Sequence, residues 1–512
     1  IGGRLMISRK FPVWLTIEKK ERSLFFALMA MYGIYVLPVI LANRLYQDDL
    51  SHSLYGVTGW YNDARPLSEK LIVWLCGGSP LGDVFPLPLL LSIPLLAFAV
   101  TLFVKRFLPS QGLSFPALSL GFLVIANPFL LCNLSYRFEA VTMILALCAA
   151  MLPYAAPAEM PPLKVFIFSF FLCMITFTTY QSAIGVFISL WFIELFYMLC
   201  SCRIDPLRLL ARPAACVCGA VIYKFIILNH YIRPENGGWQ SDAYRFGQNA
   251  EGGFFSVILL NMESLMQHIN LVLQGVPMPV LILFLFLMAA GILFACLSFF
   301  RQVFPLYRRL LSILYALLLP FLIVLGAAAP LLVLTPTSFN ISAHSLICLC
   351  SIGIWAGVML SFLPSAGRQL WALLFLPCLL FGLTFSYTYG NALTSQKQYE
   401  EYLTYSIVHD LETINADGAY QTVTIAGRAP YAPETARLCE KYPLLTRLVP
   451  TYITNSSYLG GVQLLLYTQE TFSFESLTEE DETLIKTGEP VVTTSIYSCY
   501  KADNKIIIHF NR

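Results

Sequence analysis

Charge is scarce in this sequence. Only 12% of the 512 residues are Asp, Glu, Lys or Arg, about half the share found in ordinary soluble domains. The formal net charge is only +2, so the strong basic excess of a nucleic-acid-binding protein is missing and no nucleic-acid partner is predicted. These two shortages exclude an ordinary soluble globular domain and a nucleic-acid-binding module.

The sequence also lacks the short motifs of several common chemistries. It contains no Walker A loop, no glycine-rich dinucleotide fingerprint and no closely spaced set of Cys and His residues. ATP-driven transport therefore has no support, and no cofactor is predicted. Asp48 and Asp49 are carboxylates of the kind that bind metals, but no further ligands accompany them, so no metal site is assigned.

Long apolar runs are abundant instead. Hydrophobic residues make up 57% of the chain, and its mean hydropathy is +0.68. Runs of about 20 apolar residues, which cross a hydrocarbon core of about 30 Å, recur from Ser23 to Tyr389. We predict a polytopic α-helical membrane protein with about eleven transmembrane helices. The predicted spans are Ser23–Ala42, Phe85–Val104, Leu113–Cys132, Glu139–Ala156, Leu163–Thr179, Ser182–Cys200, Ala214–Leu228, Val280–Phe300, Leu310–Leu331, Ala343–Leu363 and Gln369–Tyr389.

Basic residues fall in every second connection between these spans. Because short cytoplasmic loops are enriched in Lys and Arg, this alternation predicts a cytoplasmic N-terminus. It also predicts an odd number of spans and a C-terminal region on the opposite side of the membrane. The basic residues are Lys105, Arg106, Lys164, Arg203, Arg208, Arg212, Arg301, Arg308, Arg309 and Arg368, together with those of the N-terminal segment.

Composition divides the chain into two predicted domains. Residues 1–389 form the membrane domain, with two long outer loops at 43–84 and 229–279. Each loop contains a stretch patterned like an amphipathic interfacial helix, Leu67–Cys76 in the first and Phe254–Leu273 in the second. Residues 390–512 regain charge and lose the long apolar runs, which predicts a domain outside the membrane.

The pattern of residues 390–512 predicts a small α/β domain, because helix-like and strand-like stretches alternate. The helix-like stretches are Tyr399–Asn415 and Pro433–Leu448, and the strand-like ones are Thr422–Ala426, Val462–Tyr467, Val491–Tyr497 and Lys505–Phe510. Most of the 14 cysteines lie in apolar spans, where they act as small hydrophobic residues. Cys439 and Cys499 lie in the exported domain and are candidates for a disulfide in an oxidising compartment.

The most informative polar stretch follows the first span and contains Tyr46, Asp48 and Asp49. Two adjacent carboxylates at the membrane edge are costly unless they are solvated or paired. Partial burial raises the pKa of a carboxylate toward the working range of a general base. We therefore expect one of the two to act as a base and the other to orient it. The alternative is a solvated turn with no chemical role.

Other outer turns contain polar groups suited to a sugar phosphate. Arg65 and Arg137 are candidates for binding an anion, although Arg137 is also placed for a local pair with Glu139 or Asp49. The further substrate-binding candidates are Tyr46, Tyr136, Glu139, Tyr180, Gln181 and Trp239. An aromatic belt accounts equally well for Tyr180, and a purely structural loop for Trp239.

These motifs resemble the bacterial and phage-borne O-antigen glucosyltransferases that convert lipopolysaccharide serotype. The resemblance rests on Tyr-x-Asp-Asp, Gly-x-x-x-Trp and Arg-Pro-Leu after the first span, on the turn at 133–138, and on Tyr180-Gln181. In this chain the residues of the first three motifs are Tyr46, Asp48, Asp49, Gly56, Trp60, Arg65, Pro66 and Leu67. The likeness covers the N-terminal half of the chain, whereas residues 390–512 match only in position.

The resemblance implies a GT-C type glycosyltransferase of the bacterial inner membrane, with its C-terminal domain in the periplasm. Such an enzyme transfers glucose from undecaprenyl-phosphate glucose to the O-antigen polysaccharide with inversion. By this analogy Asp49 is the general base and Asp48 its partner. Arg137 and Arg65 hold the departing lipid phosphate, and the exported domain helps to bind the acceptor.

Two other functions remain as alternatives. A flippase for a lipid-linked sugar predicts charged residues along a path through the membrane, and Glu194 and Lys224 are the clearest charged residues within predicted spans. The second alternative is a GT-C transferase that acts on lipid A or on a protein, and amino-acid composition does not distinguish it from one that acts on O-antigen. Clustering of the polar groups on one face favours chemistry at one membrane surface.

Overall fold

The computed structural model describes residues 13–108, 112–201, 204–232, 253–300, 305–336, 342–455 and 458–511. Helices dominate up to residue 414, and a small sheet with short helices follows. The α-helices are α1 Arg22–Ala42, α2 Asp49–Tyr55, α3 Pro66–Leu75, α4 Leu87–Phe107, α5 Phe115–Ile125, α6 Pro128–Ser135, α7 Ala140–Met151, α8 Pro162–Thr179, α9 Ile184–Ser201, α10 Pro206–Ile222, α11 Asn229–Tyr231, α12 Phe254–Gly275, α13 Met278–Phe300, α14 Leu306–Leu332, α15 Cys350–Leu360, α16 Arg368–Ile414, α17 Pro433–Lys441, α18 Leu445–Leu448, α19 Tyr458–Leu465 and α20 Glu479–Thr487.

Short helical turns of other types complete the helical part. The 3-10 turns are Val13–Leu15, Leu152–Ala155, Gln181–Ala183 and His344–Leu349, and Tyr223–Leu228 is a π-helical turn between α10 and α11. π-Helical turns within α-helices often occur at functional sites.

Among the described residues, 8 helices are long and apolar enough to cross a membrane. If the bent pair α5 and α6 counts as one span, the described residues contain up to 9 candidate spans. Two shorter apolar helices, Ala140–Ala155 and His344–Leu360, lie at two further predicted spans. These helices make the chain a membrane protein. Each of the eleven predicted spans overlaps one of these helical segments, but the count of eleven itself stays a prediction.

The third predicted span is broken in the middle. Helices α5 and α6 meet at 60°, where Pro128 begins α6. Pro128 has no backbone N–H to continue the helix. The Asn127 side chain accepts a hydrogen bond from the Phe129 backbone N–H at 3.1 Å and so caps the new helix. The break directs α6 toward the outer polar residues at 133–139.

The two long loops at 43–84 and 229–279 contain the two predicted helices. Leu67–Cys76 corresponds to α3 and Phe254–Leu273 to α12, so both helices are confirmed, and their place in the membrane interface stays a prediction. Helix α3 begins at Pro66, as expected for a residue whose missing N–H costs nothing in the first turn.

Residues beyond α16 contain a five-stranded sheet. Its strands are β1 Thr422–Ala426, β2 Ser473–Glu475, β3 Val492–Thr493, β4 Tyr497–Ala502 and β5 Lys505–Phe510. Their order is β2-β1-β5-β4-β3, with β1 parallel to β2 and β5, and β4 antiparallel to β3 and β5. The strands predicted at Thr422–Ala426 and Lys505–Phe510 are confirmed. The strand predicted at Val462–Tyr467 is wrong, because this stretch belongs largely to helix α19.

The long helix α16 passes through the predicted domain boundary at residue 390. Its first half packs in the cluster of the membrane helices through Phe385 and Tyr389. Its second half packs under the sheet through Leu403 and Ile407. The same helix therefore serves the cores of both parts, and the division at this residue stays a prediction.

The predicted disulfide between Cys439 and Cys499 is not present. Both residues are free, buried thiols. Cys439 packs in the cluster of the membrane helices, whereas Cys499 lies on β4 in the cluster beneath the sheet. The two cysteines face different cores, which corrects the prediction.

Candidate active site

Lys105 and Arg106 lie in the last turn of α4. A cavity of about 600 Å³ lies at the other end of the membrane helices. Its polar end is formed by the first outer loop and by the turns that follow α6 and α8. The polar residues of these three segments are Tyr46, Gln47, Asp48, Asp63, Arg65, Tyr136, Glu139, Tyr180, Gln181 and Ser182. Seven of these residues come from separate predicted motifs and line the same cavity: Tyr46, Asp48, Arg65, Tyr136, Glu139, Tyr180 and Gln181.

The other end of the cavity is apolar and lies among the membrane helices. Ile184 and Ile188 of α9, Ala220 of α10, and Pro330 and Leu331 of α14 line it. A cavity with a polar end at the helix termini and an apolar end between helices fits an amphiphilic ligand.

Asp48 and Asp63 bring two carboxylates to the polar end. The surrounding protein removes hydration from both, and this desolvation raises the pKa of each above the ordinary Asp value. The charges of His52 and Arg65 partly offset the rise at Asp48. Asp48 itself raises the pKa of Asp63 further, so the two carboxylates lie within electrostatic reach of each other.

Asp49 occupies a different position from its neighbour. Its carboxylate is buried and does not line the cavity. One oxygen accepts the backbone N–H groups of Tyr46 at 3.0 Å and of Arg137 at 2.8 Å. Asp49 thus joins the first outer loop to the turn after α6. Desolvation raises its pKa well above the ordinary value, and the two backbone donors lower it.

Arg65 is the centre of a polar network in the cavity wall. Its guanidinium lies 3.2 Å from Glu139, 3.8 Å from Asp63 and 3.2 Å from the Gln181 side-chain oxygen. It also stacks over the Tyr180 ring at 4.9 Å. Two carboxylates and an aromatic face therefore fix Arg65 and offset its charge.

Arg137 lies outside this cavity. Its guanidinium donates to Asp83 and to Asn43, and it stacks over Phe85 at 4.6 Å. Among the described residues Glu139 pairs with Arg65 and not with Arg137. The structure therefore does not bring Arg137 to the polar end, because Asp83 at the end of the first loop holds it elsewhere.

The remaining predicted binding residues mostly meet at the polar end. Tyr46 and Tyr136 pack edge to face with ring centres 5.1 Å apart. The Gln181 amide donates to the Asp63 carbonyl at 3.0 Å and to the Tyr223 hydroxyl at 2.7 Å. Trp239 lies outside the residues that the structure describes.

A buried aromatic pair supports the loop that contains Asp48. The His52 ring stacks on Trp60 at 4.5 Å, and the His52 Nδ1 is 2.8 Å from the Val57 carbonyl oxygen. Gly56 ends α2 with φ +62°, and a Cβ there would lie 2.7 Å from Pro80. The positive φ and the close approach to Pro80 require a glycine at position 56, and the stacking on His52 accounts for the tryptophan at position 60.

Several polar residues of the cavity were not among the predicted site residues, and they include Asp63, His344, Tyr223, Lys224 and Arg447. Tyr223 and Lys224 reach it from the π-helical turn after α10, and Arg447 reaches it from α18. Lys224 had a signal in the sequence, since a charged residue inside a span usually has a function. Glu194, the other such residue, pairs with Arg212 at 2.6 Å, away from the cavity. Arg447 had no comparable signal.

The arrangement suits transfer of a group from a lipid-linked anion. It combines a carboxylate with a raised pKa, cationic side chains, hydrogen-bonding groups for a sugar and an apolar end for a chain. Within the described residues, no cluster of three His, Cys, Asp or Glu side chains could hold a metal ion.

Comparison with known proteins supports this chemistry. The family model Glucosyl transferase GtrII matches residues 37–362, which is more than half of the chain. A protein of Salmonella phage P22, described as an uncharacterized 55.3 kDa protein in the gtrB 5′ region, is 22% identical over 505 residues, covering 97% of this chain and 100% of the relative. No solved structure matches. The chain belongs to the Glucosyl transferase GtrII family and is a membrane-embedded glycosyltransferase.

Proposed function

We propose that the enzyme transfers glucose from undecaprenyl-phosphate glucose to lipopolysaccharide O-antigen at the periplasmic face of the bacterial inner membrane. Family membership supports the glucosyl transfer. The gtrB neighbourhood in the name of the phage relative supports a role in serotype conversion. The cavity supports a lipid-linked donor, because its apolar end lies between α9, α10 and α14.

One observation carries the mechanism: Asp48 lines the polar end of this cavity, whereas Asp49 does not. We therefore assign the general base to Asp48 and reverse the roles expected from the sequence. Asp49 positions the loop through the backbone N–H groups of Tyr46 and Arg137.

In the proposed reaction the acceptor hydroxyl attacks the anomeric carbon from the side opposite to the phosphate. Asp48 takes the hydroxyl proton as the new carbon–oxygen bond forms. The bond between the anomeric carbon and the phosphate oxygen breaks, and undecaprenyl phosphate leaves with the bonding electrons. Attack in line with the leaving group inverts the configuration.

The other polar residues hold and orient the sugar in this proposal. Tyr136 lines the polar end. The Tyr180 hydroxyl donates to the His344 carbonyl at 3.0 Å and the Gln181 amide donates to Asp63 and Tyr223, so these two residues shape the wall around the sugar. Glu139 and Asp63 hold Arg65 in place beside them. No step passes through a cofactor.

A GT-C-like membrane domain with a periplasmic C-terminal domain is part of the proposal. Within the described parts of the chain, the 9 candidate spans that count the bent pair once, with the two shorter apolar helices, give eleven. The alternation of basic loops then places the cavity and the C-terminus outside the cytoplasm. An alkaline phosphatase fused after residue 512 should be active in cells, and a fluorescent protein fused there should stay dark. The reverse result would contradict this topology.

The direct test uses purified wild-type protein in vesicles, undecaprenyl-phosphate glucose labelled in the sugar, and O-antigen acceptor. We expect label in the polysaccharide and free undecaprenyl phosphate as the second product. Undecaprenyl-phosphate glucose that crosses the bilayer intact, without transfer, would indicate a flippase. Transfer only to lipid A or to a protein would retain the enzyme class and change the acceptor.

A further inference from the structure

The segment 445–452 joins the C-terminal part of the chain to the membrane helices. Leu445 and Leu448 of the short helix α18 are fully buried in the same cluster as those helices. Arg447 lies between them and lines the polar cavity. A residue beyond the predicted membrane domain therefore reaches the site of the proposed reaction.

Hydrogen bonds fix this segment against the loop that contains Asp48. The Tyr46 hydroxyl donates to the Leu448 carbonyl at 2.8 Å, and Arg44 donates to the Pro450 carbonyl at 2.7 Å. The Tyr452 hydroxyl accepts from the Gln47 backbone N–H at 3.0 Å. Each of these three hydrogen bonds joins a residue near Asp48 to a residue near Arg447, so together they fix the position of Arg447 relative to Asp48.

A buried ion pair connects the loop that contains Asp48 to the long helix α16. Arg44 contacts Glu400 at 2.6 Å, and both side chains are almost fully buried. The other Glu400 oxygen accepts the Tyr452 backbone N–H at 3.1 Å. Removal of one partner of such a pair leaves a buried charge and is strongly destabilising, so Glu400 ties both Arg44 and Tyr452 to α16.

Arg447 differs from the other two arginines near the site. Asp83 and Glu139 neutralise Arg137 and Arg65, respectively. Arg447 is exposed and lines the cavity, and its side chain has no hydrogen bond or ion pair with any of the residues that the structure describes. A guanidinium that faces a cavity without a counter-charge is suited to an anionic ligand.

We propose that Arg447 binds the phosphate of the polyprenyl-phosphate donor, so that the C-terminal part of the chain completes the active site. This inference rests on the proposed function. A guanidinium can donate two parallel hydrogen bonds to phosphate oxygens. The phosphate gains negative charge as the bond to glucose breaks, so Arg447 stabilises the leaving group more strongly than the bound donor.

The test compares the full-length wild type with Arg447→Gln, Arg447→Lys and a control, Arg437→Gln. Arg437 is an exposed arginine on α17 that does not line the cavity. The probes are undecaprenyl phosphate and the uncharged undecaprenol, titrated into protein in nanodiscs and followed by native mass spectrometry. Melting curves establish that each variant is folded.

We expect Arg447→Gln to weaken undecaprenyl phosphate binding by about tenfold, because a charge-assisted pair is lost, and to leave undecaprenol binding unchanged. Arg447→Lys should recover part of the affinity, and Arg437→Gln should match the wild type. In the transfer assay, Arg447→Gln should raise the KM for the donor and also lower kcat. Equal affinity of Arg447→Gln and wild type for undecaprenyl phosphate would overturn the inference.

The binding and transfer assays separate this inference from the proposed function. Wild-type protein that transfers no glucose but binds undecaprenyl phosphate through Arg447 would refute the proposed function and retain the anion site. Wild-type protein that transfers glucose, with binding and KM unaffected by Arg447→Gln, would refute the inference alone.

Discussion

Two adjacent carboxylates have opposite surroundings, because Asp48 precedes the first turn of α2 and Asp49 begins it. One side chain reaches the cavity, and the other turns back to backbone N–H groups. The sequence was enough to predict an acidic pair beside the membrane. It was not enough to predict which carboxylate lines the cavity, because that depends on a contact with Arg137, 88 residues away.

The raised pKa of Asp48 predicts how the rate depends on pH. A general base acts only when ionised, so the rate should fall as pH drops through the pKa of Asp48. Desolvation raises this pKa, and the acidic limb should therefore lie above about pH 4, the ordinary Asp value. The measurement is kcat against pH at saturating donor, with melting curves as a control for unfolding. A rate that stays constant down to about pH 4 would contradict the assignment.

At the scale of the helices, α9 and α14 approach each other closely at Gly185. A Cβ on Gly185 would overlap the Ala327 carbonyl oxygen and lie 2.9 Å from the Cys348 Cβ. Gly185→Ala should therefore lower the free energy of unfolding by about 1–3 kcal/mol, the usual cost of overpacking. The shift of α9 that the added methyl group forces should also reduce transfer, since the neighbouring Ile184 lines the cavity.

The matched control for this substitution is Gly33→Ala in α1, where a Cβ would meet nothing within 4 Å. Both proteins are compared by thermal melts in one detergent. We expect the control to melt at or above the wild-type temperature. Equal melting of Gly185→Ala and Gly33→Ala would argue against the close approach of α9 and α14.

The sequence predicted most helices, since an apolar run long enough to span a membrane forms a helix. The break at Pro128 was not predicted, although the Asn127-Pro128 pair inside the apolar run is a signal for a helix boundary. Val462–Tyr467 resembles a strand in composition, yet Gly460 and Gly461 allow its helix to lie against Tyr452 and Phe474. Tertiary packing overrode local preference there.

At the scale of the whole molecule, the proposed active site combines Asp48 of the first loop with Arg447 from the C-terminal part of the chain. The hydrogen bond from Tyr46 to Leu448 links residues 402 positions apart. The outer turns of the membrane part could be predicted because the family motifs lie there. Arg447 could not be predicted, because only the folded path of α16 and the following sheet brings α18 back to the cavity.

The central claim is that Asp48 is the general base of glucosyl transfer in this cavity. The most direct measurement is transfer from undecaprenyl-phosphate glucose by purified wild type, Asp48→Asn and Asp49→Asn, with melting curves for all three. We predict that Asp48→Asn stays folded and loses about 10²–10⁴ in rate, the usual contribution of a general base. Asp49→Asn should keep most of its activity, since an amide oxygen still accepts the two backbone N–H groups. Full activity of Asp48→Asn, or selective loss in a folded Asp49→Asn, would contradict this account.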